Sequence, residues 1–419
     1  MNYVIIGNSA AAIGCIEGIR KIDQVNKIIV ISDEPYHTYG RPLISYWLGG
    51  QVSDEKMNYR PADFYEKNSC ELMLGDTVTS IDTTSYEVLL ASGSKIAFDK
   101  LLIATGSRPF VPPMTGLENV KNQFNFMTYD DAKAINSVLT PESKVLVIGA
   151  GLIGLKAAEG IYETTKDITV VDLADRILPS ILDVRGSSIV KAHLESKGIR
   201  FILNDSVAEF TSSSATLKSG INLDFDILIV AVGVRPNVEL AKEAGLEVGR
   251  GIIVSHTCET SQIGIFAAGD CTESFDITTN TQKILALLPN AYMQGEVAGM
   301  TMAEGKNTFE NAIPMNAIGF FGLHLITAGS YEGEEVITET ENDYKKLIFK
   351  EGLLKGFILI GDVKRAGIYT SIIKEQIPVS HVDATLLKEK PQMMLFNKSR
   401  RAQTLGGINP KLGGVKVGN

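Results

Sequence analysis

Residues Lys144-Val145-Leu146-Val147-Ile148-Gly149-Ala150-Gly151-Leu152-Ile153-Gly154 read as an apolar strand, a glycine-rich turn and the opening of a helix. The glycines stand in the order G-x-G-x-x-G, and that context raises the match above chance. Glycine permits the tight turn and lets the backbone approach a pyrophosphate, while the helix N-terminus offers free N–H groups and a partial positive charge. The next apolar run, Ile168-Thr169-Val170-Val171, ends at Asp172, 21 residues after Gly151. A carboxylate there accepts hydrogen bonds from a ribose 2′-hydroxyl and repels a 2′-phosphate, which favours NADH over NADPH. Arg176 lies four residues further on and keeps the NADPH reading open. A Rossmann unit that binds no nucleotide is the bland alternative.

A second opening of the same kind stands at the start of the chain. Tyr3-Val4-Ile5-Ile6-Gly7 runs into Asn8-Ser9-Ala10-Ala11-Ala12-Ile13-Gly14, with Ser9 and Ala12 where the second and third glycines would be. Alone this motif is weak. Its acid candidates, Asp33 and Glu34, follow the run Ile28-Ile29-Val30-Ile31. Two nucleotide signatures in one chain imply two dinucleotide domains, and at 419 residues the chain is long enough for two or three cores.

Composition narrows the function classes. Hydrophobic residues make up 44% and charged residues 21%, near the averages for a folded cytoplasmic protein. The net charge of −9 argues against general nucleic-acid binding, which needs a basic face. No basic region and long apolar stretch precede Tyr3, so no secretory signal is expected, and no run reaches the length of a membrane span. Cys15, Cys70, Cys258 and Cys271 form neither a C-x-x-C nor a cluster at zinc or iron–sulfur spacing. They are expected to be buried or half-buried free thiols in a reducing compartment, and no metal site is read.

Pro109, Pro112, Pro113 and Pro141 punctuate the chain where crossovers between domains would fit. From about residue 311 the texture changes to alternating short strands such as Lys346-Leu347-Ile348-Phe349 and Gly356-Phe357-Ile358-Leu359-Ile360. The expected fold class is α/β, with two Rossmann-like dinucleotide-binding domains and a small α+β C-terminal domain. Residues 1–110 with 240–310 would form the first domain, 111–239 the second and 311–397 the third. Residues 398–419 carry Lys398, Arg400, Arg401, Lys411 and Lys416 without an acid, which reads as a basic glycine-rich tail that either docks a partner or is solvated.

Further motifs follow in order. Leu101-Leu102-Ile103-Ala104-Thr105-Gly106-Ser107-Arg108-Pro109 contains A-T-G-x-x-P, and Ile227 to Asn237 contains a matching V-G-V-R-P. Ile265-Phe266-Ala267-Ala268-Gly269-Asp270 and Leu288-Pro289-Asn290-Ala291 with Gln294-Gly295 complete the set. Together they resemble the FAD-dependent pyridine-nucleotide oxidoreductases of the glutathione-reductase class. Within these the chain is most similar to NADH:rubredoxin oxidoreductases and to relatives serving carbon monoxide dehydrogenase or tungsten aldehyde oxidoreductase. The similarity runs from about residue 2 to 380.

The resemblance implies FAD contacts at Gly7, Asn8, Ser9, Ala10, Ala11, Asp33, Glu34, Arg41, Pro42, Val78, Ala104, Thr105, Gly106, Gly269, Asp270, Asn290 and Ala291. It implies NAD(H) contacts at Gly149, Gly151, Leu152, Ile153, Gly154, Asp172, Val232 and Gly233. Asp270 would meet the ribityl chain. The helix opening at Leu288 would point its positive end at the flavin pyrimidine. Arg41, in the Tyr39-Gly40-Arg41-Pro42 stretch, is a candidate for a phosphate or isoalloxazine contact because its planar fork suits anionic oxygens. His37 reads as a surface turn residue.

Two departures bear on mechanism. Disulfide reductases of this class carry a reactive cysteine in the stretch Thr38 to Ile44; here that stretch holds no sulfur, so a disulfide substrate is not expected. Many relatives also place a lysine–glutamate pair near flavin N5, where this chain has Tyr46 and Lys156. Glu159, one helical turn beyond Lys156, is a candidate stand-in, with a solvated helix-face charge as the alternative; neither is a certain catalytic residue. The expected activity is transfer of electrons from NADH through FAD to an iron–sulfur or rubredoxin-type protein, as a free reductase or as the flavin subunit of a larger complex, in the cytoplasm. An NADH oxidase using oxygen and an NADH-responsive flavoprotein scaffold are the alternatives. The C-terminal domain suggests an oligomer or partner interface.

Overall fold

The computed structural model describes residues 1–396; the basic tail lies outside the described residues. Two parallel five-stranded sheets organise the larger unit, Met1–Phe275 with Thr281–Ala312. The first sheet has the order Ile265–Ala267, Lys100–Ile103, Asn2–Ile6, Lys27–Ser32, Cys70–Leu74. Its register pairs Val4 with Ile29 on one side and with Leu101 on the other. The second sheet has the order Arg200–Ile202, Ile168–Val171, Val145–Ile148, Ile227–Val230, Gln123–Phe124. Central strands such as Val145–Ile148 are buried at every residue, which is why they read as unbroken aliphatic runs.

A three-stranded antiparallel ribbon interrupts each sheet in sequence, Val78–Asp82 with Glu87–Leu90 and Lys95–Ala97 before strand Lys100–Ile103, and Val207–Phe210 with Ser214–Leu217 and Asn222–Asp224 before strand Ile227–Val230. Two short crossover strands, Ser107–Pro109 and Val234–Pro236, run antiparallel, with Arg108 opposite Arg235.

Glycines bring two helices of the first sheet into backbone contact. On helix Ala10–Arg20, Gly14 and Gly18 face helix Leu288–Met302, whose Gly295 and Gly299 face back. A methyl added at any of the four would run into a main-chain carbonyl of the opposite helix, those of Tyr292, Glu296, Ala11 and Cys15 in turn. The i, i+4 spacing places each pair on one helix face.

The second unit consists of residues 313–396 and 276–280 among those described. It is an antiparallel sheet in the order Met315–Phe320, Leu323–Gly329, Leu353–Ile360, Tyr344–Lys350, Glu334–Glu339, with helix Ala366–Lys374 against the strand Leu353–Ile360. The two runs singled out in the sequence fall within two of its three inner strands. Among the described residues no helix is long and apolar enough to cross a membrane.

Candidate functional site

In the first sheet the strand order reverses between Asn2–Ile6 and Lys100–Ile103, and open parallel sheets bind ligands at the carboxyl ends of strands flanking such a switch. A cleft of about 230 Å³ lies there. It is lined by the turn after the first strand (Gly7, Asn8, Ser9, Ala10, Ala11), by Asp33 and Glu34, and by Ala104, Thr105 and Gly106. Gly269, Asp270, Ala291, Arg41 and Val78 complete the sequence-derived residues that meet in it. Pro42 and Asn290 do not line it; Pro42 is exposed and Asn290 is buried in its helix. Asp76, Thr77, Ser107, Met127, Asn237 and Leu240 also line the cleft and were not singled out as contacts. Ser107 and Asn237 belong to the two crossover stretches quoted from the sequence, whereas Asp76, Thr77, Met127 and Leu240 lie outside every quoted motif.

The first turn works despite its degenerate glycines. Gly7 has φ +101°, and a Cβ there would strike the Ala104 carbonyl, so this position admits glycine alone. Ser9 at the second position and Ala12 at the third are accommodated. Ser9 is the N-cap of helix Ala10–Arg20 and makes no side-chain cap, so the helix N–H groups are left to the cleft. The Asn8 side chain braces the turn from behind: its oxygen accepts from Thr38 Oγ1 (2.8 Å) and Tyr65 OH (2.7 Å). His37 packs edge-on against Tyr65, with ring centroids 4.9 Å apart.

Charge in the cleft is balanced between Arg41, Glu34 and Asp270. Arg41 is ion-paired with Glu34 and donates to Tyr39 OH and to the Met127 carbonyl, each at 3.2 Å. Burial disfavours its charge, but Tyr39 and Glu34 outweigh that, so the guanidinium holds its proton more firmly than usual. Burial pushes the Asp270 carboxyl above its ordinary range, opposed by the Ser107 hydroxyl, which donates to it at 3.1 Å, and by the charge of Arg41. The turn carrying Asp270 is held by buried Gln294, whose Oε1 accepts from Gly269 N (2.9 Å) and whose Nε2 donates to Ser274 Oγ (2.8 Å).

The second glycine loop repeats the first. Gly149 has φ +112°, and a Cβ there would meet the Ala231 carbonyl, which brings the loop beside Val232 and Gly233. A Cβ at Gly154 would meet the Gly149 carbonyl. At Gly151, by contrast, a Cβ would meet nothing within 4 Å. Gly151 caps helix Leu152–Ile161 without a side-chain bond, so the loop has an open face where a pyrophosphate would lie. Asp172 sits against this loop: Oδ2 accepts from Ala150 N (2.6 Å) and Oδ1 from Ala174 N (2.7 Å). Arg176 pairs instead with Asp175, at 2.7 Å.

Lys156 and Glu159 form an ion pair, and the Lys156 ammonium lies 4.3 Å from the centroid of the Tyr46 ring. Their side chains are only 14% and 13% exposed, so the solvated-charge reading of this pair does not hold. All four cysteines are free. Cys271 adjoins Asp270 in sequence, but its thiol is fully buried, donates to the carbonyls of Ile103 and Ala268, and is pushed up to about 11 by burial. Burial likewise pushes Cys70 and Cys258 to about 12. None of the four lines the cleft.

The family model for pyridine nucleotide-disulphide oxidoreductases matches residues 1–295, and the chain belongs to that family. The C-terminal domain of rubredoxin NAD+ reductases matches residues 314–377. The assimilatory nitrate reductase electron transfer subunit of Bacillus subtilis is 30% identical over 97% of the chain, which spans only 53% of that subunit. The NADH-dependent phenylglyoxylate dehydrogenase subunit epsilon of Aromatoleum evansii is 29% identical over 88% of this chain and 91% of its own length. The crystal structure of NADH:rubredoxin oxidoreductase from Clostridium acetobutylicum superposes with a TM-score of 0.74 at 26% identity, covering 90% of this chain and 96% of that one. FAD and NAD(H) are the cofactors of this family. The uncapped helix N-termini, the Arg41 fork and the open face at Gly151 fit them.

Proposed function

We propose that this chain takes electrons from NADH and delivers them singly, through FAD, to a rubredoxin or other iron–sulfur protein, either free or as the flavin-bearing subunit of a larger complex. The observation that carries this reading is the absence of any thiol from the cofactor cleft, in a family named for disulfide chemistry. The match to the rubredoxin-reductase C-terminal domain supports the choice of acceptor. When bound, the flavin accepts a hydride as an electron pair and releases electrons one at a time.

The chain's own residues bind and orient. The Gly7–Ala11 turn with Arg41 would hold the FAD pyrophosphate, Asp270 the ribityl chain, and the N-terminus of helix Leu288–Met302 the pyrimidine end. Asp33 and Glu34 would hold the adenosine end, and Glu34 also anchors Arg41. Gly149 to Gly154 would hold the NADH pyrophosphate, and Asp172 its adenosine ribose. No acid or base is required for hydride transfer, so alignment is the protein's contribution. Residues 1–110 with 240–310 serve as the FAD domain, 111–239 as the NAD domain, and 311–397 as an interface domain. Free cysteines fit a cytoplasmic setting.

Anaerobic stopped-flow tests the reading. NADH alone should bleach the flavin absorbance, and oxidised rubredoxin added next should be reduced as the absorbance returns. A protein whose flavin is bleached but re-oxidised by oxygen alone is an oxidase, and the proposal fails.

A further inference from the structure

A second cavity, of about 390 Å³, shares Ser107 and Asp270 with the cofactor cleft. The two cavities therefore adjoin at these residues. Val234, Pro236, Ile284 and Ala286 give it an apolar lining, and Arg235 and Arg250 stand at its exposed rim.

The two rim arginines differ from their neighbour. Arg108 lies directly opposite Arg235 on the crossover ribbon and is neutralised by Glu239 at 2.6 Å. Arg235 instead lies over the Phe110 ring, 4.4 Å from its centroid, with no carboxylate partner among the described residues. Glu273, the acid beside Arg250, directs Oε1 to the backbone N–H groups of Arg250 and Gly251 (2.5 and 3.1 Å) and makes no ion pair with the Arg250 side chain. In a chain of net charge −9, two arginines without acid partners, set against the one carboxyl of Asp270 in the same lining, leave an excess of positive charge beside an apolar hollow. An apolar centre with a charged rim is the anatomy of a transient protein interface.

We propose that this cavity is where the electron acceptor docks: an acidic protein with a one-electron iron centre near its surface, its carboxylates on Arg235 and Arg250 and an apolar contact on Val234 and Ile284. The inference rests on the acceptor reading above and says where on the chain that acceptor sits. One NADH and two ferric acceptors, visiting in turn, give NAD+, two ferrous acceptors and one proton. No bond to the acceptor forms, so the surface has only to hold its centre next to the Ser107–Asp270 wall.

The test uses the full-length holoprotein with oxidised rubredoxin as probe. The Arg235→Glu/Arg250→Glu double variant should raise the KM for rubredoxin by about tenfold or more at low salt and flatten the salt dependence of the wild type. Bleaching of the flavin by NADH and reduction of ferricyanide should change by less than about twofold, since neither arginine lines the cofactor cleft. The milder Arg235→Gln/Arg250→Gln variant should shift KM in the same direction by less, which separates charge from misfolding. A wild type that is bleached by NADH yet leaves rubredoxin oxidised overturns the acceptor reading and this surface together. A wild type that reduces rubredoxin, with KM and salt dependence unchanged in the double variant, overturns the surface alone.

Discussion

Thr105 and Asn237 lock the two crossover segments to each other: Thr105 Oγ1 donates to the Asn237 carbonyl and Asn237 Nδ2 donates to the Thr105 carbonyl, both at 2.8 Å. The Asn237 backbone N–H adds a third bond to the Gly106 carbonyl at 2.9 Å, and Arg108 donates to Asn237 Oδ1 at 2.8 Å. The chain passes from the first parallel sheet to the second just after Thr105 and returns just before Asn237, so the lock sits at both passages. Replacing Asn237 with Ala leaves the Thr105 carbonyl and an Arg108 donor without their partner. The variant should lose about 1–3 kcal/mol of stability in urea unfolding. It should also slow bleaching of the flavin by NADH. An unchanged unfolding midpoint together with an unchanged bleaching rate would contradict the lock.

Gly295 tests the backbone contact between the helices at the first glycine turn. Gly295→Ala pushes a methyl into the Ala11 carbonyl, and main chain on both sides cannot yield as a flexible side chain would. The cost should reach about 3 kcal/mol, with FAD lost on dialysis because both helix N-termini face the cleft. Gly367→Ala is the control. That exposed helical glycine has nothing within 4 Å of an added Cβ, and alanine there should stabilise by up to about 1 kcal/mol. Equal effects of the two substitutions on the unfolding midpoint would refute the steric account.

Much of the fold was legible in the chain because parallel strands buried on both faces must be aliphatic, as Val145–Ile148 and Ile168–Val171 are. The cleft was legible where a residue belongs to a turn with a local pattern, as Gly7, Gly106 and Asp270 do. Asn237 and Met127 reach it from segments more than a hundred residues from Gly7, and only the folded sheets bring them there. The degenerate first motif was hard to read for a physical reason. Only Gly7 of its first three positions has to hold a positive φ and a close carbonyl, so Ser9 and Ala12 carry no fingerprint. The burial of Lys156 and Glu159 was equally hidden, since an i, i+3 charge pair on a helix looks the same in sequence whether solvated or packed on Tyr46.

Asp172 should select NADH over NADPH. Both its oxygens already accept loop N–H groups, which fixes the carboxylate at the strand end where an adenosine ribose would arrive. Asp172→Ala should narrow the NADH preference by about 1–3 kcal/mol, read as the ratio of kcat/KM for flavin reduction by the two nucleotides. Asp172→Asn keeps an acceptor oxygen for the loop and separates loss of charge from loosening of the turn. A wild type that uses both nucleotides equally well at subsaturating concentration would make the assignment wrong.

Asp270 sets stability against cofactor binding, and pH exposes the conflict. Burial raises its carboxyl above the ordinary value of 3.8, so in the window above that value the folded chain holds a proton the unfolded chain has released. Stability from this group is thus present at low pH and is lost as pH rises through the raised value. In FAD-free protein, Asp270→Asn removes the cost of a buried carboxylate while keeping an acceptor for Ser107, so its melting temperature at pH 7 should exceed that of the wild type. The gain should shrink as pH is lowered toward 3.8, where the carboxyl is increasingly protonated in both states. The same variant should bind FAD about tenfold to a hundredfold more weakly, because a charged acceptor is replaced by a neutral one at the cleft. Melting curves of the flavin-free proteins across pH, with FAD titrations alongside, check both halves. If the variant is less stable at pH 7, or its gain does not diminish on acidification, the buried charge is not the source of the effect.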